Sequence, residues 1–345
     1  MNKVTRFISN ILFDKEIDLV SFPLKTNHQF WDSFVKIGSS HYVIPALYYK
    51  LKQRHYLKLL NNELVSYLKE IYNQNLKRNI ELVKESQEIS IVLKQNNIDH
   101  VFLKGTALIS SIYSDKIGVR MIGDIDILVE KSQILKAKSL FVSNLNYITQ
   151  DFKEFTRFLP EEKHLHRMIS KNKLFAIELH FDLTRKKNNI DLSNFIETEK
   201  NSVGINIPNN INLLNHTIIN FQSNDEGSLK AGFHFRTLFD VFNLSKIYPG
   251  LIDKLPNSTH FQKIKVVMKN LNLLKFKTPF KLIFFELRFK LIHSYYFFSL
   301  LNSTLTKMIS ILSIPITTRV KQIKALFLQK DYRKYALKKF RIINN

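Results

Sequence analysis

The sequence predicts an α+β fold in which a small mixed β-sheet is flanked by two helical regions. Up to about residue 97, and again from about residue 201, apolar residues return at three- and four-residue steps, the period of an amphipathic helix. Between them, short apolar or alternating segments typical of strands take turns with helical ones. We therefore predict an N-terminal helical region at 1–97, a sheet-containing core at 98–200 and a helical C-terminal region at 201–345.

The N-terminal region contains two strongly periodic segments, "FWDSFVKIGSSHYVIPALYYKLKQ" and "NNELVSYLKEIYNQNLKRNIELVKESQEISIVLKQNN". No proline interrupts the second segment, which fits one long helix or two shorter ones.

The core begins with the apolar strand "IDHVFLK", after which a glycine permits a tight exit into the helix "TALISSIY". "DIDILVE" alternates polar and apolar residues as a half-buried strand does, and "KSQILKAKSLFVSNLN" has the period of a helix packed against it. "HLHRMISKNKLFAIELHFDLT" predicts a hairpin with "SKNK" as its turn.

The C-terminal region is predicted to be helical, and its residues 294–314 carry a single charge, Lys307. Serine, threonine and asparagine dilute this run. We therefore expect a buried or interfacial amphipathic helix rather than a transmembrane span.

Basic residues outnumber acidic ones by 52 to 29, which gives a formal net charge of +23. Residues 261–345 hold 18 Lys and Arg against only Glu286 and Asp331, so this tail accounts for most of the excess. A concentrated positive charge attracts RNA or an anionic lipid surface, although a solvated basic face is an equally consistent interpretation.

The chain has no cysteine, which excludes disulfides, thiolate nucleophiles and cysteine-ligated zinc. The apolar run before Asp14 is too short for a secretory signal. A cytoplasmic protein is expected.

Asp124 and Asp126 lie one residue apart on a predicted strand and therefore point to the same face. Two carboxylates held this close repel each other unless a cation lies between them. Mg²⁺, or Mn²⁺, suits such a pair, and Glu178 on the outgoing hairpin strand completes a three-acid site if the two strands are neighbours. Three acids that bridge two ions would support in-line phosphoryl or nucleotidyl transfer.

The turn before the predicted helix offers groups that bind phosphate. Gly105 allows close backbone approach, Thr106 adds a hydroxyl and free N–H groups at a helix start, and Lys104 and Arg120 add positive charge.

Three histidines and one possible ion pair accompany these residues in the sequence. His180 shares a strand face with Glu178 and is a candidate to orient that acid or to contact substrate. His164 and His166 are expected to be exposed strand residues, with a contact to phosphate as the alternative. Arg236 and Asp240 are spaced for an ion pair within one helix.

The order of these parts resembles the DNA polymerase beta-like nucleotidyltransferases. Within that superfamily, "LKGTAL", "VRMIGDIDILVE" and "IELHFDL" are similar to an uncharacterised nucleotidyltransferase family of bacterial proteins, and the similarity covers residues 30–246. The resemblance implies that Gly105 and Thr106 form the phosphate-binding turn, that Asp124 and Asp126 are the metal pair, and that Glu178 is the third acid. The turn is Gly-Thr here, where the superfamily prefers Gly-Gly or Gly-Ser.

The resulting hypothesis is a metal-dependent enzyme that moves a nucleoside monophosphate from an NTP to a hydroxyl or phosphate and releases pyrophosphate. The basic tail favours RNA, such as a tRNA end, as acceptor; a small molecule, a sugar or a protein side chain stays open, as does a partner antitoxin. The alternatives are a decayed transferase scaffold that binds RNA or a membrane, and a glycosyltransferase that uses Asp-x-Asp.

Overall fold

The computed structural model describes residues 2–17, 22–23, 25–149, 163–165, 167–184, 198–200, 204–312 and 316–339. Its helices before the sheet are α1 (Lys3–Leu12), α2 (His28–Ser40), α3 (Ile44–Gln53) and α4 (Asn62–Gln95). The elements of the sheet region are β1 (His100–Phe102), α5 (Lys104–Ile109), β2 (Asp124–Val129), α6 (Ile134–Leu145), β3 (Ile148–Thr149), β4 (Met168–Ile169), β5 (Ala176–His180), β6 (Thr198–Lys200) and β7 (Asn206–Pro208). The helices that follow are α7 (Asn210–Ile219), α8 (Gly227–Lys230), α9 (Phe235–Ile247), α10 (Thr259–Asn270), α11 (Ile283–Ser294), α12 (Tyr296–Leu312), α13 (Ile316–Leu328) and α14 (Lys330–Lys339).

A five-stranded mixed sheet, in the order β1-β2-β5-β4-β3, confirms the predicted α+β class. Strands β2 and β5 are parallel, and the other neighbouring pairs are antiparallel. The predicted hairpin is β4 and β5, whereas the first strand is shorter than the segment 98–104 assigned to it. Strands β6 and β7 form a separate two-stranded sheet.

The second periodic segment is one helix, α4, of 34 residues. Asn61 caps it by accepting a hydrogen bond from the Leu64 backbone N–H at 2.7 Å. Its buried face includes polar side chains as well as Leu68, Leu82 and Ile89. This explains why a helix of low average hydrophobicity can still pack along its length.

Two of those buried polar residues, Asn75 and Asn79, bind the backbone of the segment that leads into β2. The Asn79 amide donates to the carbonyls of Ile117 and Arg120 at 2.5 and 2.8 Å, and the Asn75 amide donates to those of Gly118 and Arg120 at 2.8 and 3.0 Å. Helix α4 therefore fixes the loop immediately before the two aspartates.

One buried hydrophobic cluster contains residues of all three predicted regions, from Phe7 in α1 through Ile125 and Ile177 in the sheet to Phe289 in α11. The domain boundaries at residues 97 and 200 stay a prediction. Among the described helices, none combines the length and the apolarity that a bilayer crossing requires.

Replacing Asn79 tests how strongly α4 holds the loop before β2. We expect Asn79→Ala to lower the free energy of unfolding by about 1–3 kcal/mol, because the Ile117 carbonyl loses the Asn79 donor and the Arg120 carbonyl keeps only that of Asn75. Urea denaturation followed by circular dichroism measures this change. Gln74→Ala is the matched control, since its exposed amide bonds only Glu70 on the same helix. Equal effects of the two substitutions would contradict the assignment.

Candidate active site

The parallel pairing of β2 and β5 builds the centre of the site. Asp126 lies directly opposite Glu178 in the register, and Asp124 lies opposite Ala176. Because facing residues of paired strands project to the same side, the carboxylates of Asp126 and Glu178 emerge next to each other. The strand alternation then brings Asp124 and His180 to the same face.

Asp126, Glu178 and His180 each offer a ligand atom, and these atoms lie within 4.8 Å of one another. The His180 Nε2 atom is 2.8 Å from Asp126 Oδ1 and 3.6 Å from Glu178 Oε2. Two carboxylates and an imidazole are a donor set that fits a divalent cation. These three residues could therefore hold a divalent metal ion.

Asp124 lies at the rim of this group rather than inside it. Its carboxylate is 3.6 Å from the Arg167 guanidinium and is more exposed than that of Asp126. Burial, followed by the negative charges of Asp126 and Glu178, raises the pKa of Asp124 to about 6. The raised pKa of Asp124 thus reflects its burial first and the two neighbouring acids second.

Lys104 neutralises the two inner acids. Its ammonium forms an ion pair with Asp126 and lies 3.8 Å from Glu178 Oε2. Burial alone would raise the pKa of Asp126, but Lys104 and His180 outweigh it and hold the carboxyl well below its usual range. Burial alone would lower the pKa of Lys104, but the negative charges of Asp126 and Glu178 outweigh it, so the pKa is raised. The centre is therefore a charged cluster in which an internal cation already contacts the acids.

Of the two residues of the predicted phosphate-binding turn, Gly105 lines the cleft, whereas Thr106 is buried and does not. Lys104 has a φ of +50° and starts α5, and Gly105 lines the cleft against Ile122. A Cβ on Gly105 would lie 2.8 Å from Ile122 Cγ1 and 3.1 Å from Arg120 Nη1, so a larger residue has no room. Thr106 is buried away from the cleft lining, and within the described residues its hydroxyl has no hydrogen-bond partner.

Arg120 lies at the cleft wall, where each nitrogen of its guanidinium contacts an acceptor in the protein. Its Nε and Nη2 atoms bond the Asp240 carboxylate at 3.0 and 2.9 Å, and its Nη1 donates to the Met121 carbonyl at 3.0 Å. The Tyr113 hydroxyl donates to the same Asp240 carboxylate at 3.0 Å. This buried network ties the sheet region to α9.

The predicted ion pair between Arg236 and Asp240 is wrong, because Asp240 pairs with Arg120 instead. Asp240 is held by Arg120 and Tyr113, and within the described chain the Arg236 Nε has no hydrogen-bond partner. The Arg236 guanidinium lies over the Tyr42 ring, 5.0 Å from its centroid. Burial, followed by the positive charge of Arg120, lowers the pKa of Arg236 to about 10.

A cleft lies beside this group, and its two walls come from distant parts of the sequence. Among the described residues, Asp124 and Asp126 line the cleft, whereas Glu178 and His180 do not. One wall is formed by the sheet region and the other by the helices that follow it; the lining residues include Lys104, Gly105, Arg120, Ile122, Asp124, Asp126, Thr217, Asn220, Asp225, Arg236 and Asp240. Sequence analysis missed the second wall, because nothing in the local pattern of α7 or α9 indicates which side chains face the aspartates.

His164 and His166 are the two histidines that the sequence predicts to be exposed. His164 is half-buried beside His180, with ring centroids 4.9 Å apart, so the expectation of an exposed side chain is wrong for His164. His166 lies outside the described residues.

Comparison with protein families places this geometry in a known context. A family model described as "uncharacterised nucleotidyltransferase" matches residues 27–255, about two thirds of the chain. The chain therefore belongs to this nucleotidyltransferase family, and its α+β fold is consistent with a polymerase beta-like core. No curated protein and no solved structure showed a significant match.

The two glycines at the cleft provide a matched test of its packing. We expect Gly105→Ala to lower the free energy of unfolding by about 1–3 kcal/mol, because the new methyl group overlaps Ile122 and presses on Arg120. Gly123→Ala is the control, since a Cβ there meets nothing within 4 Å. Urea denaturation compares the two. Unchanged stability of Gly105→Ala would show that the turn is looser than the structure describes.

Proposed function

We propose that this member of the uncharacterised nucleotidyltransferase family transfers a nucleoside monophosphate from an NTP to a hydroxyl or phosphate acceptor. The acceptor oxygen attacks the α-phosphorus, the bond between that phosphorus and the bridging α–β oxygen breaks, and pyrophosphate leaves. The main support is the register that sets Asp126 beside Glu178, with Asp124 two residues from Asp126 on the same strand face and both aspartates lining the cleft.

Asp126 and Glu178, joined by Asp124 from the rim, are the residues that would hold Mg²⁺ or Mn²⁺. His180, which is within ligand distance of both inner carboxylates, would orient them. A divalent ion bound there would lower the pKa of the attacking hydroxyl and neutralise charge on the phosphates. Lys104 offsets the negative charge of the acids in the protein itself. Because its ammonium ends a flexible chain, it can leave Asp126 and contact a phosphate oxygen.

Arg236 is our candidate for the principal contact to the triphosphate. It lines the same cleft as Asp124 and Asp126, and its Nε has no hydrogen-bond partner within the described residues. The Tyr42 ring beneath the guanidinium limits the positions it can adopt. Each nitrogen of Arg120 already contacts an acceptor in the protein, and the phosphate-binding roles predicted for Arg120, Gly105 and Thr106 remain predictions.

The acceptor proposed from the charge distribution is RNA, such as a tRNA end. Residues 261–345 carry 18 basic and two acidic side chains, which suits a polyanion. An acceptor that is a small molecule or a protein side chain would not require a basic tail.

Substituting the paired aspartates tests the assignment of the metal site. We expect Asp124→Asn to reduce Mg²⁺-dependent nucleotide transfer by at least about 100-fold, because the rim carboxylate no longer binds a cation. The double variant with Asp126→Asn should be inactive. The measurement is transfer of label from each α-labelled NTP to the RNA, protein or metabolites of a cell extract.

The control is Asp115→Asn, which changes an exposed acid outside the cleft. Circular dichroism establishes that each variant is folded. Undiminished transfer by the folded double variant would refute the proposed site. Failure of the unmodified protein to bind Mg-NTP at millimolar concentration would favour a scaffold that only binds its partner.

Arg236 can be tested by binding as well as by turnover. We expect Arg236→Gln to weaken Mg-NTP binding by about 10-fold or more in calorimetry, because a charged donor to phosphate is lost. The affinity of Arg236→Lys for Mg-NTP should lie between those of the unmodified protein and of Arg236→Gln, since lysine keeps the charge but lacks the planar guanidinium. Lys230→Gln, which removes an exposed cation paired with Glu226, is the control. An affinity for Arg236→Gln equal to that of the unmodified protein would exclude the contact.

A further inference from the structure

Three consecutive C-terminal helices, α11 to α13, carry apolar stripes that face outward. On α11 and the turn before it, the stripe is Phe280, Phe284, Leu287 and Leu291, whose side chains are 39% to 86% exposed. Their spacing of four, three and four residues places them on one face of the helix. Phe285 and Phe289, on the other face, are buried.

Helix α12 has its polar face turned toward the protein. Asn302 donates to the Lys230 carbonyl at 2.9 Å and accepts from Arg288 at 2.8 Å, and Thr306, one turn further on, is only 4% exposed. Beside these residues, on the solvent side, lies an apolar stripe that is 44% to 68% exposed and consists of Phe297, Leu301, Leu305, Met308 and Leu312. A helix packed for water alone would have the reverse orientation.

Helix α13 repeats this arrangement. Ala325 is buried, whereas Ile316, Val320, Ile323 and Phe327 form a stripe that is 46% to 77% exposed. Single exposed apolar residues are ordinary on protein surfaces, but apolar faces on three helices in a row indicate an interaction surface. We call these three stripes the C-terminal apolar face.

The charges around this face identify the kind of partner. Lys281, Lys307, Lys321 and Lys324 are exposed on the same elements. Glu286, the acid of α11, is buried and bonded to Lys269, Lys290 and Thr278. The partner must therefore be anionic as well as apolar. RNA phosphates would match the lysines but would leave the leucines and phenylalanines in water.

The aromatic residues at the start of α12 favour a lipid surface. Tyr295, Tyr296 and Phe297 follow one another at the junction of α11 and α12, and all three are exposed. Such rings are enriched where acyl chains meet headgroups, because they offer both apolar area and, for tyrosine, a polar group. Basic side chains beside them pair with anionic headgroups.

We propose that the C-terminal apolar face binds the surface of an anionic bilayer, with α11, α12 and α13 lying in the interface. The stripes enter the outer acyl region and the lysines contact headgroup phosphates. No described helix is suited to cross the bilayer, which agrees with this peripheral mode. The proposal is independent of the metal site, because the stripes and the cleft share no residue. It assigns four of the 18 basic residues of 261–345 to lipid headgroups and leaves the other 14 for an RNA acceptor.

The test is vesicle flotation of the full-length protein. We expect it to float with vesicles of phosphatidylcholine and phosphatidylglycerol, and at least about tenfold less with phosphatidylcholine alone, since the lysines require anionic headgroups. The triple variant Leu301→Ser, Leu305→Ser, Met308→Ser should also bind at least about tenfold less to the anionic vesicles, although its charge is unchanged.

The matched control substitutes serine for three similarly exposed apolar residues elsewhere, Ile91, Leu135 and Leu174. It should float like the unmodified protein, and thermal unfolding should be alike in all variants because the side chains are exposed.

Three results would overturn the proposal. One is no flotation with anionic vesicles; another is flotation that the triple variant retains in full, which would mean binding by charge alone. The third is binding to polyuridylate, or stable dimers in sedimentation that the triple variant loses, in the absence of any vesicle binding. Those last outcomes would assign the face to RNA or to a second copy of the chain.

Discussion

The parallel pairing of β2 with β5 sets Asp126 against Glu178, and the surrounding structure compensates the charge that this register concentrates. Two carboxylates at adjacent positions would repel each other strongly in a partly buried site. Lys104 enters from the start of α5 and His180 from β5 itself, so the compensation comes from segments that must fold together with the pair. Shifting β5 by one residue would turn Glu178 into the apolar layer and leave Asp126 without its neighbour. The hydrophobic alternation of both strands is therefore what protects the position of the charges.

A second buried charge pair connects the two walls of the cleft. Arg120 belongs to the loop before β2, and Asp240 belongs to α9, 120 residues later. Removing either partner would leave an uncompensated charge in the interior, which is strongly unfavourable. The helical region after the sheet is thereby held at a defined distance from the aspartates. Asn75 and Asn79 of α4 secure the Arg120 backbone from behind, so N-terminal, central and C-terminal elements all meet at this residue.

Much of this could be predicted from the sequence, because local patterns carry the relevant physics. Period-two alternation placed Asp124 and Asp126 on one strand face, and a hairpin signal indicated a later strand bearing Glu178 and His180. Local patterns could not predict which residues contact each other when they are far apart in the sequence. Arg236 and Asp240 have the spacing of a helical ion pair, yet Asp240 bonds to Arg120, which no neighbour in the sequence indicates. Similarly, Lys104 was predicted to meet phosphate, but its position against Asp126 depends on how α5 leaves β1.

In the C-terminal helices, the sequence shows the helical periodicity of the apolar residues but not whether the apolar stripes face the protein or the solvent. An apolar stripe normally means a buried face, because in water the stripe gains free energy by packing against the protein. In α12 the inward positions are instead taken by Asn302 and Thr306, which bond to or pack against the protein. Once those positions are filled by polar groups, rotating the helix to bury its leucines would expose the asparagine and break its bonds to Lys230 and Arg288. The outward direction of the stripe is thus built into the packing of α12.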